Sequence, residues 1–324
     1  MPDRVLVTGA LGCLGAWAIK ALLDEGATPV GYDLGGDDAR LRLVLDEDEL
    51  SRVTLVQGDV TDLVALGRAL DEHAVTRVIH LAALQVPFCR ADPALGARVN
   101  VFGTVVVFEA VKARRDRIPG LAYASSTAVY NARDPSPAPE SGGASPSTLY
   151  GVYKLANEGT ARVFWEDEGV ASIGIRPYIV YGPGRDQGLT SAPSLAMAAA
   201  ARGEGFAIGY GGTAQYDFAP DVGRAFALAA QASSEGAQVA NFPDAASTMA
   251  DVVAAIEAAA PEVAGRITWA DERLPFPDSL EATLLERVVG PLPRTPLAEG
   301  VRRTVEHFRR AGFNEGKDGG RPAR

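Results

Sequence analysis

Cysteine is scarce in this chain. Cys13 and Cys89 are the only two among 324 residues, so no disulfide framework is available and a reducing, cytoplasmic setting is expected. Histidine is nearly as rare. His73, His80 and His307 have no ligand-like spacing, and no metal site is expected. His80 falls inside the apolar run Arg77-Val-Ile-His-Leu81, which suits a core residue better than a catalyst. Positive charge is outweighed: 31 Lys and Arg against 41 Asp and Glu give a formal net charge of −10, which speaks against nucleic acid or an anionic membrane as partner. Long apolar runs are missing too, the longest being too short or too interrupted to span a bilayer. A β-rich run begins within five residues of Met1, so no signal peptide is expected. The chain has no internal repeat or low-complexity core, and it is long enough to bury one main domain with a second lobe.

Glycine, in contrast, is plentiful and placed with purpose. Arg4-Val-Leu-Val-Thr8 runs straight into Gly9-Ala-Leu-Gly12-Cys13-Leu14-Gly15, and Ala16 to Glu25 then reads as a helix. Strand, glycine turn and helix together offer free N–H groups and the positive end of a helix dipole to a pyrophosphate. Glycines are needed where the backbone turns sharply and where a side chain would block the phosphates. The next strand, Thr28-Pro-Val-Gly-Tyr-Asp33, ends in an acid about 20 residues past the loop, where a carboxylate binds ribose hydroxyls. Leu34 follows it. A carboxylate there repels a 2′-phosphate and favours NAD over NADP, while Arg40 and Arg42 further along would work against that preference.

Strands and helices alternate along the first half. Strands are expected at 4–8, 28–33, 53–57, 77–81, 120–125 and 170–176, and helices at 12–25, 62–72, 94–114 and 148–168. Such alternation means an α/β protein, doubly wound around a parallel sheet. After Arg176-Pro177 and Gly182-Pro-Gly184 the pattern loosens. Helices at 191–202, 221–232, 249–260 and 296–310, with a strand at 239–242, read as a smaller C-terminal α/β substrate lobe. The expected division is residues 1–176 for nucleotide binding, with returns near 215–245, and 177–214 plus 246–312 for substrate. Residues 313–324 read as a disordered tail. Thr295 is expected to cap the last helix with Pro296 at its first position.

Tyr150-Gly-Val-Tyr-Lys154 carries the chemistry. Four residues apart on a helix, Tyr150 and Lys154 share a face. A free tyrosine titrates near ~10 and is a poor base at neutral pH, and an ammonium one turn away would favour the phenolate. Tyr153 competes for the role, but its own fourth neighbour is Asn157.

Together these residues resemble the extended short-chain dehydrogenase/reductases, the NAD-dependent epimerase/dehydratase family, over roughly 4–310. The motifs stand in the family's order: the glycine loop, Gly58-Asp59-Val60, His80-Leu-Ala-Ala83, Val99-Asn100-Val101, Ser125-Ser126-Thr-Ala-Val-Tyr130, the Tyr150–Lys154 pair, and Arg176-Pro-Tyr-Ile-Val-Tyr-Gly-Pro183. The resemblance implies a Rossmann-type fold and an NAD-dependent enzyme. It makes Tyr150 the acid/base and has Lys154 hold the nicotinamide ribose and lower the tyrosine's pKa. Ser126, with Ser125 and Thr127 as rivals, orients the substrate oxygen. It also puts Asp59 and Val60 at the adenine, Leu81, Ala82 and Ala83 beside the adenosine ribose, Asn100 behind helix and cofactor, and Pro177 to Val180 along the nicotinamide.

Substrate is less legible. Sugar-nucleotide members of the family often carry an arginine where Ala214 stands here, ahead of Asp221, which puts a pyrophosphate clamp in doubt. Arg185 would bind an anion and Gln85 would read a hydroxyl. The reading is hydride transfer at a secondary alcohol or ketone of a small polyhydroxylated substrate (sugar, sugar acid or polyol). A UDP-sugar 4-epimerase with tightly held NAD is the alternative, and a catalytically silent NAD-sensing protein is the remote one. The helix at 94–114 carries Val99, Val101, Phe102, Val105, Val106, Val107, Phe108 and Val111, apolar on more than one face. With the helix bearing Tyr150, that surplus implies the family's four-helix homodimer.

Overall fold

In the computed structural model, which describes residues 2–142, 144–232 and 235–312, the first half follows the alternating pattern closely. Strands β1 (Arg4–Thr8), β2 (Thr28–Asp33), β3 (Thr54–Gln57), β4 (Arg77–His80), β5 (Gly120–Ala124) and β6 (Ala171–Arg176) are parallel neighbours. The second half adds β7 (Ile179–Tyr181), β8 (Phe206–Ile208), β9 (Thr213–Phe218), β10 (Ala237–Asn241), β11 (Ala246–Thr248) and β12 (Ile267–Trp269). The central sheet has seven strands in the order β10-β6-β5-β4-β1-β2-β3. The direction of winding reverses between β1 and β4, and the crevice beyond the strand ends there is where such sheets bind ligands. The strand expected near 239–242 is thus the sheet's last one. In contrast, β9 joins β7 and β11 in a separate three-stranded sheet. The tail expected at 313–324 lies outside the described residues.

Both faces of the sheet are covered, as its apolar strands require. On one face the helix Cys13–Asp24 packs against the helix Ala219–Gln231, so close that a Cβ on Gly223 would come within 2.5 Å of the Trp17 backbone. On the other, Leu63–Glu72 and Gly103–Lys112 cover Leu6, Val30, Val78, Leu121 and Tyr123. A second core gathers β7, β9 and the helices Ala192–Ala201, Met249–Ala259 and Leu297–Ala311 around Tyr181, Met197, Tyr216, Ile256 and Phe308.

Three expectations need correction. The helix expected at 94–114 is broken by a π-helical stretch, Arg98–Phe102, set between Pro93–Ala97 and Gly103–Lys112. That stretch, Pro93–Lys112, is in fact long and apolar enough to cross a membrane by length and composition, but half of it is buried inside the protein as a sheet-covering helix. Thr295 does not cap the last helix. Its backbone N–H donates to Asp221 Oδ2 at 2.7 Å, and the cap position falls to Pro296. The short strands β7, β8, β11 and β12 escaped the sequence reading because three residues carry almost no periodicity.

Candidate active site

A groove of about 890 Å³ runs along the carboxyl ends of β1 to β6. Its first wall is the glycine loop. Gly9 sits at φ +70°, and a Cβ there would lie 2.7 Å from the Ala82 nitrogen, while one on Gly15 would lie 2.1 Å from the Gly9 carbonyl oxygen. The helix that follows has Gly12 at its cap and no side-chain cap, so its first N–H groups are left free for an anion. Asp33 closes this end. Its Oδ2 accepts from Leu11 N–H at 2.9 Å and its Oδ1 from Leu34 N–H at 2.8 Å, and the carboxylate still lines the groove. Asp59 Oδ1 accepts from the Thr61 N–H and hydroxyl, both at 2.8 Å, and presents its other face to the groove beside Val60. Leu81, Ala82 and Ala83 line the middle, held by Thr8, whose Oγ1 accepts from the N–H groups of Leu81 and Ala82. A bare glycine bend, uncapped N–H groups and a carboxylate at the next strand end fit a dinucleotide, and Cys13, Leu14, Pro177 and Val180 are among the lining residues.

Asn100 is placed differently from its neighbours in the motif set. It is buried in the π-helical stretch and does not line the groove. Its amide grips Leu84, accepting from the N–H at 2.7 Å and donating to the carbonyl at 2.8 Å. Asn100 therefore shapes the loop after β4 from behind. His80 is buried between Thr8 and Thr104, and burial pushes it down to about 3, so it is a neutral core residue.

The Tyr–Lys helix is Leu149–Glu168. Thr148 caps it by accepting from Gly151 N–H at 3.0 Å, and Gly169 ends it at φ +67°. Gly151 is the contact point. A Cβ there would fall 2.0 Å from the Ala128 carbonyl oxygen, so only glycine lets this helix approach the loop after β5. That approach brings Ser126 and Tyr150 together in the groove lining, close enough for Ser126 to favour the phenolate. The rivals of Ser126 are engaged elsewhere: Ser125 donates to Glu158 Oε1 at 2.5 Å and Thr127 to the Pro177 carbonyl at 3.1 Å. Tyr153 turns away and donates to the Pro93 carbonyl at 2.9 Å.

The electrostatics depart from expectation. Burial raises the Tyr150 hydroxyl above the usual tyrosine range, against the pull of Ser126 and Arg185. The Lys154 ammonium gives its hydrogen bond to the backbone and keeps its charge beside the tyrosine ring. Nζ donates to the Ala124 carbonyl at 2.7 Å and stands 5.6 Å from the centre of the Tyr150 ring. Burial in turn pushes Lys154 down to about 8.

At the substrate end, Gln85 and Arg185 face the groove with Tyr178, Leu189, Thr190 and Phe276. Arg185 Nη2 donates to Thr190 Oγ1 at 3.2 Å, whereas its Nε and the Gln85 Oε1 are buried without a partner among the described residues. Ala214 is 4% exposed, lies in the second core and does not line the groove.

Sequence reasoning missed the support behind the site. Glu158 and Arg176 form a buried pair with N–O distances of 2.7 Å, and Arg176 also donates to the Tyr130 hydroxyl and the Glu140 carbonyl. Glu158 is one turn beyond Lys154 on the same helix, and that spacing was the available signal. Tyr178 falls inside the stretch expected along the nicotinamide, but Phe276 was missed as a lining residue and lies in a stretch with no periodicity.

The model of the NAD dependent epimerase/dehydratase family matches residues 5–242. The chain belongs to that family. Over nearly its whole length, 94% of this chain and 98% of the relative, this family member is 30% identical to UDP-glucose 4-epimerase of Mycolicibacterium smegmatis. UDP-glucuronate 4-epimerase 6 of Arabidopsis thaliana is 33% identical over 184 residues, 55% of this chain, and the match spans 40% of that longer relative. Among solved structures, UDP-glucose 4-epimerase of Thermus thermophilus, complexed with NAD, superimposes with a TM-score of 0.80 at 27% identity, covering 94% of this chain and 99% of the other. The enzyme is accordingly NAD-dependent, on a Rossmann-type sheet.

Proposed function

We propose that this family member moves hydride between NAD and the secondary alcohol or ketone carbon of a small polyhydroxylated substrate: a sugar, a sugar acid or a polyol. NAD supplies the redox chemistry when bound. Tyr150 Oη takes the substrate hydroxyl proton during oxidation and returns it during reduction, a role for which its position beside Ser126 is the support. Ser126 shares the substrate oxygen, and Lys154, held by Ala124, binds the nicotinamide ribose. Gly9, Gly12, Cys13, Leu14, Gly15, Asp33, Asp59, Val60, Leu81, Ala82, Ala83, Pro177 and Val180 form the cofactor side, with Asn100 acting through Leu84.

One observation carries the choice of a small substrate. The groove lining stops at Thr190 and Phe276; residues 191–275 contribute nothing to it among the described residues, and Ala214 is buried where a phosphate-binding arginine would be wanted. The unpartnered Arg185 Nε and Gln85 Oε1 add one charged donor and one acceptor, a set that suits a carboxylate next to a hydroxyl.

The test is a thermal-shift series in saturating NAD with UDP, UDP-glucose, and free sugars, sugar acids and polyols. A ligand at about 100 times its Kd adds roughly 2.7 kcal/mol and is easily seen. A shift with a free sugar acid or polyol and none with UDP supports this reading. A clear shift with UDP alone overturns it. The second reading, a nucleotide-sugar 4-epimerase, is favoured by the whole-length similarity to the Mycolicibacterium protein.

The family member is further proposed to be a homodimer. Leu149, Val152 and Val163 on the Tyr–Lys helix and Leu95 and Phe102 on the neighbouring one are 42–51% exposed and apolar. Light scattering of Val152→Asp should show a monomer where the parent chain shows a dimer.

A further inference from the structure

Residues 182–188 leave the end of β7 and cross the groove, with Gly184, Arg185, Asp186 and Gln187 among its lining. Three glycines at φ +132°, +84° and +100° (Gly182, Gly184 and Gly188) set its bends. It is tied to three separate parts of the wall. The Trp17 indole N–H donates to the Pro183 carbonyl at 2.9 Å. Arg40, on the helix after β2, grips Asp186 through Nε at 3.1 and 3.2 Å and through Nη2 at 2.8 Å, while its Nη1 donates to the Leu11 carbonyl at 3.3 Å. Gly188 rests on Gln85, whose Oε1 would meet a Cβ there at 2.1 Å. Directly beneath lies the glycine loop, with Cys13 Sγ 3.8 Å from the Pro183 carbonyl oxygen. A dinucleotide whose pyrophosphate rested on the uncapped helix N-terminus at Gly12 would share the groove with this segment and border it.

We propose that residues 182–188 form a strap over the bound dinucleotide and that the Arg40–Asp186 pair is its latch, so that opening of the pair sets the rate of cofactor exchange. The other ties are neutral hydrogen bonds or packing. The latch is the only ion pair between strap and wall among the described residues. Its side chains are 26% and 30% exposed, so salt reaches it. The inference concerns the dinucleotide alone and does not depend on which substrate the enzyme takes.

The experiment follows dissociation of NADH from the purified full chain by stopped-flow fluorescence, chasing with excess NAD. Asp186→Asn should release NADH about fivefold faster, the factor matching about 1 kcal/mol at 1.4 kcal/mol per tenfold. The association rate should rise as well, so that Kd moves less than either rate. Arg40→Gln should behave likewise, and the double variant should be no faster than the faster single one. Raising salt to about 0.5 M should speed release from the parent chain and leave Asp186→Asn nearly unchanged. Release within twofold of the parent in Asp186→Asn overturns the proposal, as do additive effects in the double variant. If the variants fail to fold, release from the parent chain that does not respond to salt overturns it on its own.

Discussion

Removing Glu158 should hurt both stability and turnover, for one reason. Glu158 and Arg176 side chains are 8% and 6% exposed and meet through two contacts of 2.7 Å. Glu158→Ala leaves the Arg176 guanidinium buried, with Tyr130, Glu140 and Asn241 as its remaining partners, and deprives the Ser125 hydroxyl of its acceptor. Breaking one side of a buried pair costs about 3–5 kcal/mol, a large part of a typical stability of about 5–15 kcal/mol. At about 2 °C per kcal/mol for a large domain, Tm should fall by roughly 6–10 °C. Glu158→Leu combined with Arg176→Met removes both charges and should lie within about 1 kcal/mol of the parent chain, because desolvation of a buried pair offsets most of its attraction. Urea unfolding measures the stability change, with an unaltered m-value as the check on two-state behaviour. Turnover measured well below Tm should drop about tenfold in Glu158→Ala, while NAD affinity stays within a few-fold. Glu158 pins the helix carrying Tyr150 and Lys154 to the strand end carrying Ser125, and misplacing that geometry slows chemistry more than it weakens binding. A Glu158→Ala variant within 1 kcal/mol of the parent would refute the reasoning.

Tyr150→Phe should bind NAD within a few-fold of the parent yet lose about 10²-fold or more in turnover, the usual scale for an acid/base group; near-normal turnover would remove Tyr150 from that role. Since burial holds its hydroxyl above the ordinary tyrosine range, the oxidation rate should still be climbing with pH at pH 8. Calorimetric titration should show NAD binding far more tightly than NADP, with Asp33→Ala narrowing the gap, and equal affinities in the parent chain would count against Asp33. Asp217 is fully buried, and burial raises its carboxyl well above the usual range, so the folded chain holds a proton that the unfolded chain releases above its ordinary pKa. Stability should then fall as pH rises from the ordinary carboxylate range toward that raised value, by at most about 1.4 kcal/mol per pH unit. Asp217→Asn should flatten this slope and gain on the parent between pH 5 and pH 8, and parallel Tm curves would refute it.

The sequence by itself determined the parallel sheet, the glycine loop and the residues that meet at the strand ends. These are local signals: a β-rich run into Gly9 and Gly15, an acid at the end of the next strand, and a tyrosine one turn before a lysine. Each depends on backbone conformation and short-range spacing, which neighbouring residues fix. Tertiary structure decided what depends on partners distant in the chain. Burial, set by the whole fold, moves the Tyr150 hydroxyl upward, and Lys154 gives its hydrogen bond to the Ala124 carbonyl, 30 positions away. Asn100 reads as a cofactor residue in its motif, yet its amide is taken by Leu84, 16 positions away. Thr295 has the residue type of a helix cap but gives its N–H to Asp221, 74 positions away. Arg40 and Asp186 lie 146 positions apart and carry no sequence pattern in common, and only the tertiary fold brings them together.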